Sequence, residues 1–568
     1  MTRESVADRT FDAIVVGSGI SGGWSAKELC ERGLRTLVLE RGRAVEHPND
    51  YPTAEFRPWD LPHLGRRSLA FREANPIASR CWAYQPDTAH FFTPDDEHPY
   101  VQEKPFDWIR GYQVGGRSLT WSRHAHRWSN VDFEGPARDG FAVDWPIRYD
   151  DLAPWYGHVE RFIGVSGNAD GLDILPDGEF LRPHDMTAVE QRFRSIVESR
   201  HDGRHLVMSR RATLTESTPF FAAQGRGVCT NRGVCERGCP TGSYFSSNSS
   251  TLPWAQRTGN LTLRPDSVVH SLVYDDAAAR VTGVRVIDAH SHREIEYTAR
   301  VVFLNASALN TNLILLNSTS GRFDRGLGND SGLLGTHVAF HSYRGTISAR
   351  SEHDLDHRTS GHRPNDCYIP RFRNVDRQET DFLRGYASSF SATRNTVAWP
   401  SGFGVELKRE LDNPPLEPFW TVYGQMVAET IPKVENRVTL DPMLTDAWGI
   451  PMLRVNVAYD DNDEKIVRDF HEEMSAMYQD AGFSEIECVD SRQAPGLDVH
   501  EMGGVRMGRD PATSVLNGWN QLHACPNVFV TDGACMTSTG TAAPSLTYMA
   551  FAARAANRAV DELRDGNL

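Results

Sequence analysis

The sequence predicts an α/β protein in which a Rossmann-like nucleotide-binding domain is joined to a second domain built on antiparallel sheet. Three observations predict it. The apolar run Phe11-Asp12-Ala13-Ile14-Val15-Val16 leads directly into Gly17-Ser18-Gly19-Ile20-Ser21-Gly22-Gly23. A second run, Thr36-Leu37-Val38-Leu39, ends on Glu40. Far downstream, residues 336–460 alternate short β-prone runs with turns such as Asp446-Ala447-Trp448-Gly449, the pattern of an antiparallel sheet.

The first run is apolar without alternation, as a parallel strand buried on both faces must be. Gly17 permits a tight turn, Gly19 lets the backbone approach a pyrophosphate, and Gly22 lets the next helix pack on the strand. After this turn, which also holds the cofactor candidate Ser21, a helix runs to about Arg32, and Gly33 is its stop. Its N-terminus presents free N–H groups and a positive dipole end to phosphates. Glu40, followed by Arg41, stands where an acid binds a ribose hydroxyl. A carboxylate there disfavours a 2′-phosphate, and so NADP. It leaves NAD and FAD open, and a single fingerprint favours a tightly held FAD.

Residues 45–110 show little periodicity and are read as long excursions over the nucleotide. Gly115-Gly116-Arg117-Ser118-Leu119-Thr120-Trp121 is a second glycine turn, with Gly115, Gly116 and Ser118 as cofactor candidates. Residues 150–204 are helical in part. A β-rich stretch, Leu261 to Val286, contains the cofactor candidate Val269 and is followed by Tyr297 to Leu304. A helix over Ala308 to Leu316 and an amphipathic helix over 461–482 come next. Asp532-Gly533 and then Pro544 open the last helix, Ser545 to about Leu563. Proline at a first helical turn loses no hydrogen bond. The predicted nucleotide domain comprises 1–165, 205–335 and 495–568, and the substrate domain 166–204 and 336–494.

The composition is that of an ordinary globular protein, with 39% hydrophobic and 24% charged residues. A net charge of −15 argues against nucleic acid as a partner. No run is long and apolar enough to span a membrane, and the polar first residues do not read as a signal peptide. The nine cysteines are odd in number, which argues against a disulfide framework.

Three constellations carry chemistry. His500 stands before Gly503-Gly504, in Val499-His500-Glu501-Met502-Gly503-Gly504. A neutral imidazole is suited to take a proton from an alcohol, a contribution of ~10²–10⁴-fold for a positioned base. The N-terminus of the last helix is suited to stabilise the negative charge of a reduced flavin. Cys229, Cys235 and Cys239 crowd a glycine-rich loop in a C-x5-C-x3-C spacing. Three thiolates suit a soft metal or cluster, zinc lacks a fourth ligand nearby, and free thiols remain an alternative.

The glycine fingerprint, Gly115-Gly116-Arg117-Ser118-Leu119-Thr120-Trp121, the His500 segment and the ending Asp532-Gly533 … Pro544-Ser545-Leu546-Thr547 together resemble the glucose–methanol–choline (GMC) flavin oxidoreductases. The resemblance implies the GMC two-domain fold, an FAD-binding domain with an antiparallel-sheet substrate domain. It implies His500 as the base and a second polar catalytic residue, Asn or His, where this chain has Ala543. Either His500 acts with a stand-in such as Asn520 or Thr541, or the chain is an inactivated or weakened variant, engineered or natural. Thr120 matches the position at which some members attach FAD covalently, so the FAD here is expected to be non-covalent. The cysteine spacing resembles that of members carrying a [3Fe-4S] cluster. Within the family, Arg110 to Trp121 and the cysteine loop look closest to glucoside 3-dehydrogenases and bacterial pyranose and C-glycoside 3-oxidases. That implies oxidation of the C3 hydroxyl of a glucopyranosyl unit, with electrons relayed through the cluster to a cytochrome c or another acceptor. Alternatives are an oxidase using O2 and a catalytically silent flavoprotein subunit. Gln425, Asn520 and His341 are candidate substrate contacts, and Trp399, Trp420 and Tyr423 candidate stacking or core aromatics. Related complexes export a large subunit with a small signal-bearing partner, and a cytoplasmic enzyme fits equally.

Overall fold

The computed structural model describes residues 9–140, 143–357, 363–364, 366–395, 403–412 and 419–568. Strand β1 (Thr10–Val16), helix α1 (Ile20–Glu31) and strand β2 (Thr36–Leu39) form the expected opening unit. Four of the residues of β1 and all of β2 are buried, which is why the runs lack polar alternation. Gly33 ends the unit's helix with φ of 90°, a conformation that suits glycine.

Five strands run parallel in one sheet. Cys525–Val530 pairs with Glu294–Leu304, which pairs with β1, then β2, then Leu261–Arg264. An antiparallel hairpin, Ser267–Asp275 and Arg280–Asp288, extends from Glu294–Leu304. The register aligns Val16 with Leu39 and Leu304, and Leu304 with Val530. Gly17, Glu40, Asn305 and Thr531 therefore leave the sheet at one edge, the carboxyl ends where doubly wound sheets bind ligands.

A second sheet of seven strands is antiparallel throughout. Its order is Ser484–Asp490, Gly345–Ser351, Phe419–Glu429, Tyr386–Asn395, Cys367–Ile369, Val207–Met208, with His341–Ser342 also on Phe419–Glu429. Helices Ala188–Arg200 and Asp461–Asp480 cover its far face through Phe193, Phe470, Met474 and Tyr478. Phe193 stacks on Phe390 at 4.2 Å, a pair worth ~0.5–1.5 kcal/mol beyond its buried area. Two features differ from expectation. Val207–Met208 joins this sheet by pairing with Cys367 and Tyr368, although position 205 opened a nucleotide-domain segment in the sequence reading. Val405–Asp412 is helical within the stretch read as strands and turns.

The carboxy-terminal helix, Ser545–Arg564, packs on α1. The chain before it is clamped by aromatics. Trp128 Nε1 donates to the Ala542 carbonyl at 3.2 Å and Trp145 Nε1 to Ser538 Oγ at 2.8 Å. Both indoles are fully buried, as are the partners their N–H groups need. This clamp fixes the position of Ala543.

Candidate active site

One continuous cavity of about 860 Å³ runs from the glycine turn after β1 to the inner face of the seven-stranded sheet. Its volume lies in the range of small-molecule and cofactor sites.

At the nucleotide end, the three fingerprint glycines meet three different surroundings. A Cβ on Gly17, at φ of 95°, would lie 2.3 Å from the Asn305 carbonyl oxygen. One on Gly22 would lie 1.9 Å from the Gly17 oxygen. One on Gly19 would have no heavy atom within 4 Å and would project into open space. Gly17 and Gly22 are thus required by the protein's own packing, and Gly19 leaves room for something else. Glu40 is buried and accepts from Ser18 N at 3.0 Å, Ser18 Oγ at 2.6 Å and Gly42 N at 3.0 Å. Burial pushes its carboxyl up from the usual range, against those hydrogen bonds. Ser18 Oγ also accepts from Gly115 N at 2.9 Å, tying the second glycine turn to the first.

Of the predicted cofactor residues, Gly17, Gly19, Ser21, Glu40 and Arg41 line the cavity, as do Gly116, Ser118, Val269, Asp532, Gly533 and Ser545. Gly22, Gly115 and Pro544 stand behind it. Gly115, at φ of 90°, abuts Asn248, and Pro544 precedes the last helix. The Arg41 guanidinium is already engaged, by His98 at 2.8 Å, by Asp446 at 3.2 Å and over the Tyr112 and Trp448 rings. Asn305 and Ser307, at the end of Glu294–Leu304, also line the wall. The sequence reading missed them, although their place after a buried strand was a signal.

His500 stands at the other end. Its Nδ1 is 2.9 Å from His341 Nδ1 and 3.3 Å from the Tyr343 hydroxyl. His341 Nε2 is 2.7 Å from the Gly540 carbonyl oxygen. Asp498 Oδ1 accepts the backbone N–H of both His500, at 3.0 Å, and His341, at 3.3 Å. Arg117, in the glycine turn, bridges to the Val499 carbonyl at 3.0 Å and to Glu501 at 2.7 Å. His500 lines the cavity, and among the described residues no group hydrogen-bonds its Nε2. Burial, with His341 and Arg117 near, holds the His500 pKa well below 6.5, so the ring is neutral at neutral pH.

The other predicted substrate contacts divide. Gln425, on Phe419–Glu429, lines the cavity, and so does Tyr423. His341 is fully buried behind His500 and is not a wall residue. Asn520 is fully buried too, its amide donating to the Val530 carbonyl at 3.0 Å. It does not line the cavity, and its amide nitrogen also faces the Met507 sulfur at 3.6 Å. Trp420 is core, and Trp399 lies outside the described residues. Ala543 borders the cavity and offers neither donor nor acceptor, whereas Thr541 and Tyr343 also border it. A polar wall not foreseen from sequence faces them. Asp366 pairs with Arg211 at 2.7 Å and with His124 at 3.2 Å. Burial alone would raise the Asp366 pKa, but Arg211 and His124 hold it well below the carboxylate range.

The cysteine loop flanks this wall. Cys235 and Glu236 line the cavity, and Glu236 pairs with Arg123 at 3.2 Å. Cys229 Sγ faces Asn231 at 3.6 Å, and Cys239 Sγ faces Thr241 at 3.3 Å. Among the described residues no three His, Cys, Asp or Glu side chains gather as a metal-ion site. Burial pushes the Cys229 and Cys235 thiols up. The [3Fe-4S] cluster expected from the spacing is not supported, because close spacing along a loop does not make the sulfurs converge.

A parallel sheet with this glycine turn, opening onto a pocket with an unpartnered imidazole nitrogen, defines a dinucleotide-dependent oxidoreductase. Two family models narrow the class. The GMC oxidoreductase N-terminal model matches residues 217–341 and the C-terminal model residues 432–552. The chain belongs to the GMC oxidoreductase family, whose cofactor is FAD. It is 28% identical over 573 residues to 2-methyl-1,2-propanediol dehydrogenase of Mycolicibacterium austroafricanum, covering 97% of this chain and 95% of that one. It is 26% identical to the fructose dehydrogenase large subunit of Gluconobacter japonicus, covering 98% of both. Pyridoxine 4-oxidase from Mesorbium loti shares the fold, with a TM-score of 0.58 at 17% identity over 96% of this chain and 98% of that one. The cradle suits FAD on its own geometry. Gly19 leaves open space at the N-terminus of α1, Glu40 faces the cavity beside it, and the cavity continues to His500.

Proposed function

We propose that the chain oxidises a secondary hydroxyl of a sugar, glycoside or related polyol to the ketone, with His500 as the base. One observation carries the reading: a neutral, half-buried imidazole that lines the cavity and whose Nε2 has no hydrogen-bond partner among the described residues. Bound FAD supplies the hydride acceptor at N5. His500 takes the hydroxyl proton at Nε2. Gln425, Tyr343 and the Asp366–Arg211 pair offer donors and acceptors that match a polyol, and both full-length relatives act, by their names, on polyhydroxy compounds. The finer reading is the C3 hydroxyl of a glucopyranosyl unit, supported by the resemblance of Arg110–Trp121 to enzymes of that specificity. We place the FAD held non-covalently, since Thr120 offers no ring nitrogen. A partner subunit and a cytochrome acceptor also belong to this reading, by analogy with large-subunit relatives.

Anaerobic addition of methyl glucoside, glucose, fructose or a vicinal diol tests it. Bleaching of the visible flavin band with a glucoside, followed by isolation of the 3-keto product, is the expected result. Bleaching with the diol alone refutes the sugar assignment, and no bleaching with any of them favours a silent flavoprotein.

A further inference from the structure

We propose that His341 is the positioning residue that sets the tautomer of His500 and so keeps Nε2 bare toward the substrate. The inference rests on the reading of His500 as the base.

It follows from donor counting. The Gly540 carbonyl only accepts, so the proton between it and His341 Nε2, at 2.7 Å, belongs to His341. A neutral imidazole carries one N–H, which leaves His341 Nδ1 an acceptor. His500 Nδ1, 2.9 Å away, must then be the donor. With its single proton on Nδ1, His500 presents a lone pair at Nε2. The chain of bonds runs from Nε2 of His500 through both rings to a backbone carbonyl of the loop that also carries Ala543.

Three features hold the pair in place. His341 is fully enclosed, and burial lowers its pKa to about 4, so it stays neutral. The same Asp498 oxygen accepts the backbone N–H of both histidines. The rings meet edge to face, 84° apart with centroids at 5.0 Å. His341 comes from the antiparallel sheet, where it pairs with Glu429, whereas His500 comes from the loop after that sheet's last strand. The base is therefore oriented by a side chain that lies 159 residues away in the sequence.

The alternative partner makes the arrangement consequential. The Tyr343 hydroxyl lies 3.3 Å from His500 Nδ1. If His341 offered no acceptor, nothing would oblige Nδ1 to carry the proton, and that hydroxyl, which can donate as well as accept, would be free to donate to Nδ1. Whenever it does, the His500 proton sits on Nε2 and the base is blocked.

Two variants separate the tautomer role from packing. His341→Leu removes the acceptor. His341→Asn places an amide oxygen near the position of Nδ1, and both variants lose the Gly540 contact. Flavin reduction is followed by anaerobic stopped flow at saturating substrate, with FAD content and KM measured alongside. His341→Leu is expected to reduce the limiting rate by ~10²–10⁴-fold, the share a positioned base supplies, with FAD content and KM unchanged. His341→Asn is expected to recover most of that loss. Equal impairment of the two variants, or wild-type rates in both, overturns the proposal. Loss of FAD or of the folded state in His341→Leu but not in His341→Asn also overturns it, by showing a structural role. His500→Ala runs in parallel. If it keeps the wild-type rate, the reading of His500 as base fails, separately from the role of His341.

Discussion

Gly19→Ala separates the cofactor's demands from those of the protein. Gly19 has φ of −65° and ψ of −161°, angles open to alanine. Its added methyl would meet no heavy atom of the chain within 4 Å. The apo protein should therefore fold as before, with a small gain from the less flexible chain. The methyl would instead stand in the space at the N-terminus of α1 where the pyrophosphate belongs. Displacing that group by about a methyl radius breaks charge-assisted hydrogen bonds to the helix N-terminus, each worth ~1.5–3 kcal/mol. Losing two of them gives ~3–6 kcal/mol, a loss of ~10²–10⁴-fold in affinity. Fluorescence titration of apo protein with FAD measures it, and thermal melts of the two apo forms supply the control. Unchanged FAD affinity would refute the cradle. A collapsed melting temperature in apo Gly19→Ala would refute the open space deduced there.

The remaining expectations concern single groups. Ala543→Asn should raise turnover by ~10²–10³-fold, by analogy with the cost of losing one positioned donor; equal turnover in the two forms would mean that Tyr343 or Thr541 already fills the role. Because the His500 pKa is lowered from 6.5, its base form persists as pH falls through 6.5, and kcat/KM should show no acid limb at or above that value; a limb near 7 would contradict the assignment. Glu429 is buried between Arg371, at 2.7 Å, and Arg384, at 3.2 Å, so Glu429→Ala leaves the buried Arg371 guanidinium without its carboxylate and Arg384 with Asp139, and should destabilise by ~3–5 kcal/mol in urea unfolding.

The nucleotide half was legible because its signals are local. An unalternating apolar run, a glycine turn and a helix follow one another within about one β–α unit, and the structure places both strands within a residue of where the pattern put them, with α1 starting at Ile20, inside the glycine turn. His500 was legible for a similar reason, its glycine-rich turn. The substrate wall was not. His124, Arg211, Asp366 and Tyr343 converge from four separate segments, and the pairing register that gathers them is set by long-range packing rather than by any local motif. The same gap explains His341 and Asn520. Their residue types suggested substrate contacts, but only the fold shows one behind His500 and the other bonded to Val530. Val207–Met208 is too short for a periodic signal, and its partner strand lies 160 residues downstream. The cysteine loop shows the converse: its spacing suggested a metal or cluster site, and among the described residues no three such side chains gather as one.

The proposed reaction requires the imidazole of residue 500 to receive the substrate's proton. Single-turnover reduction of the enzyme-bound flavin by a glucoside, without oxygen, tests it most directly when wild type and His500→Ala are compared at equal FAD occupancy. A rate ~10²–10⁴-fold lower in the variant is the predicted outcome. Matching rates in the two proteins would contradict it.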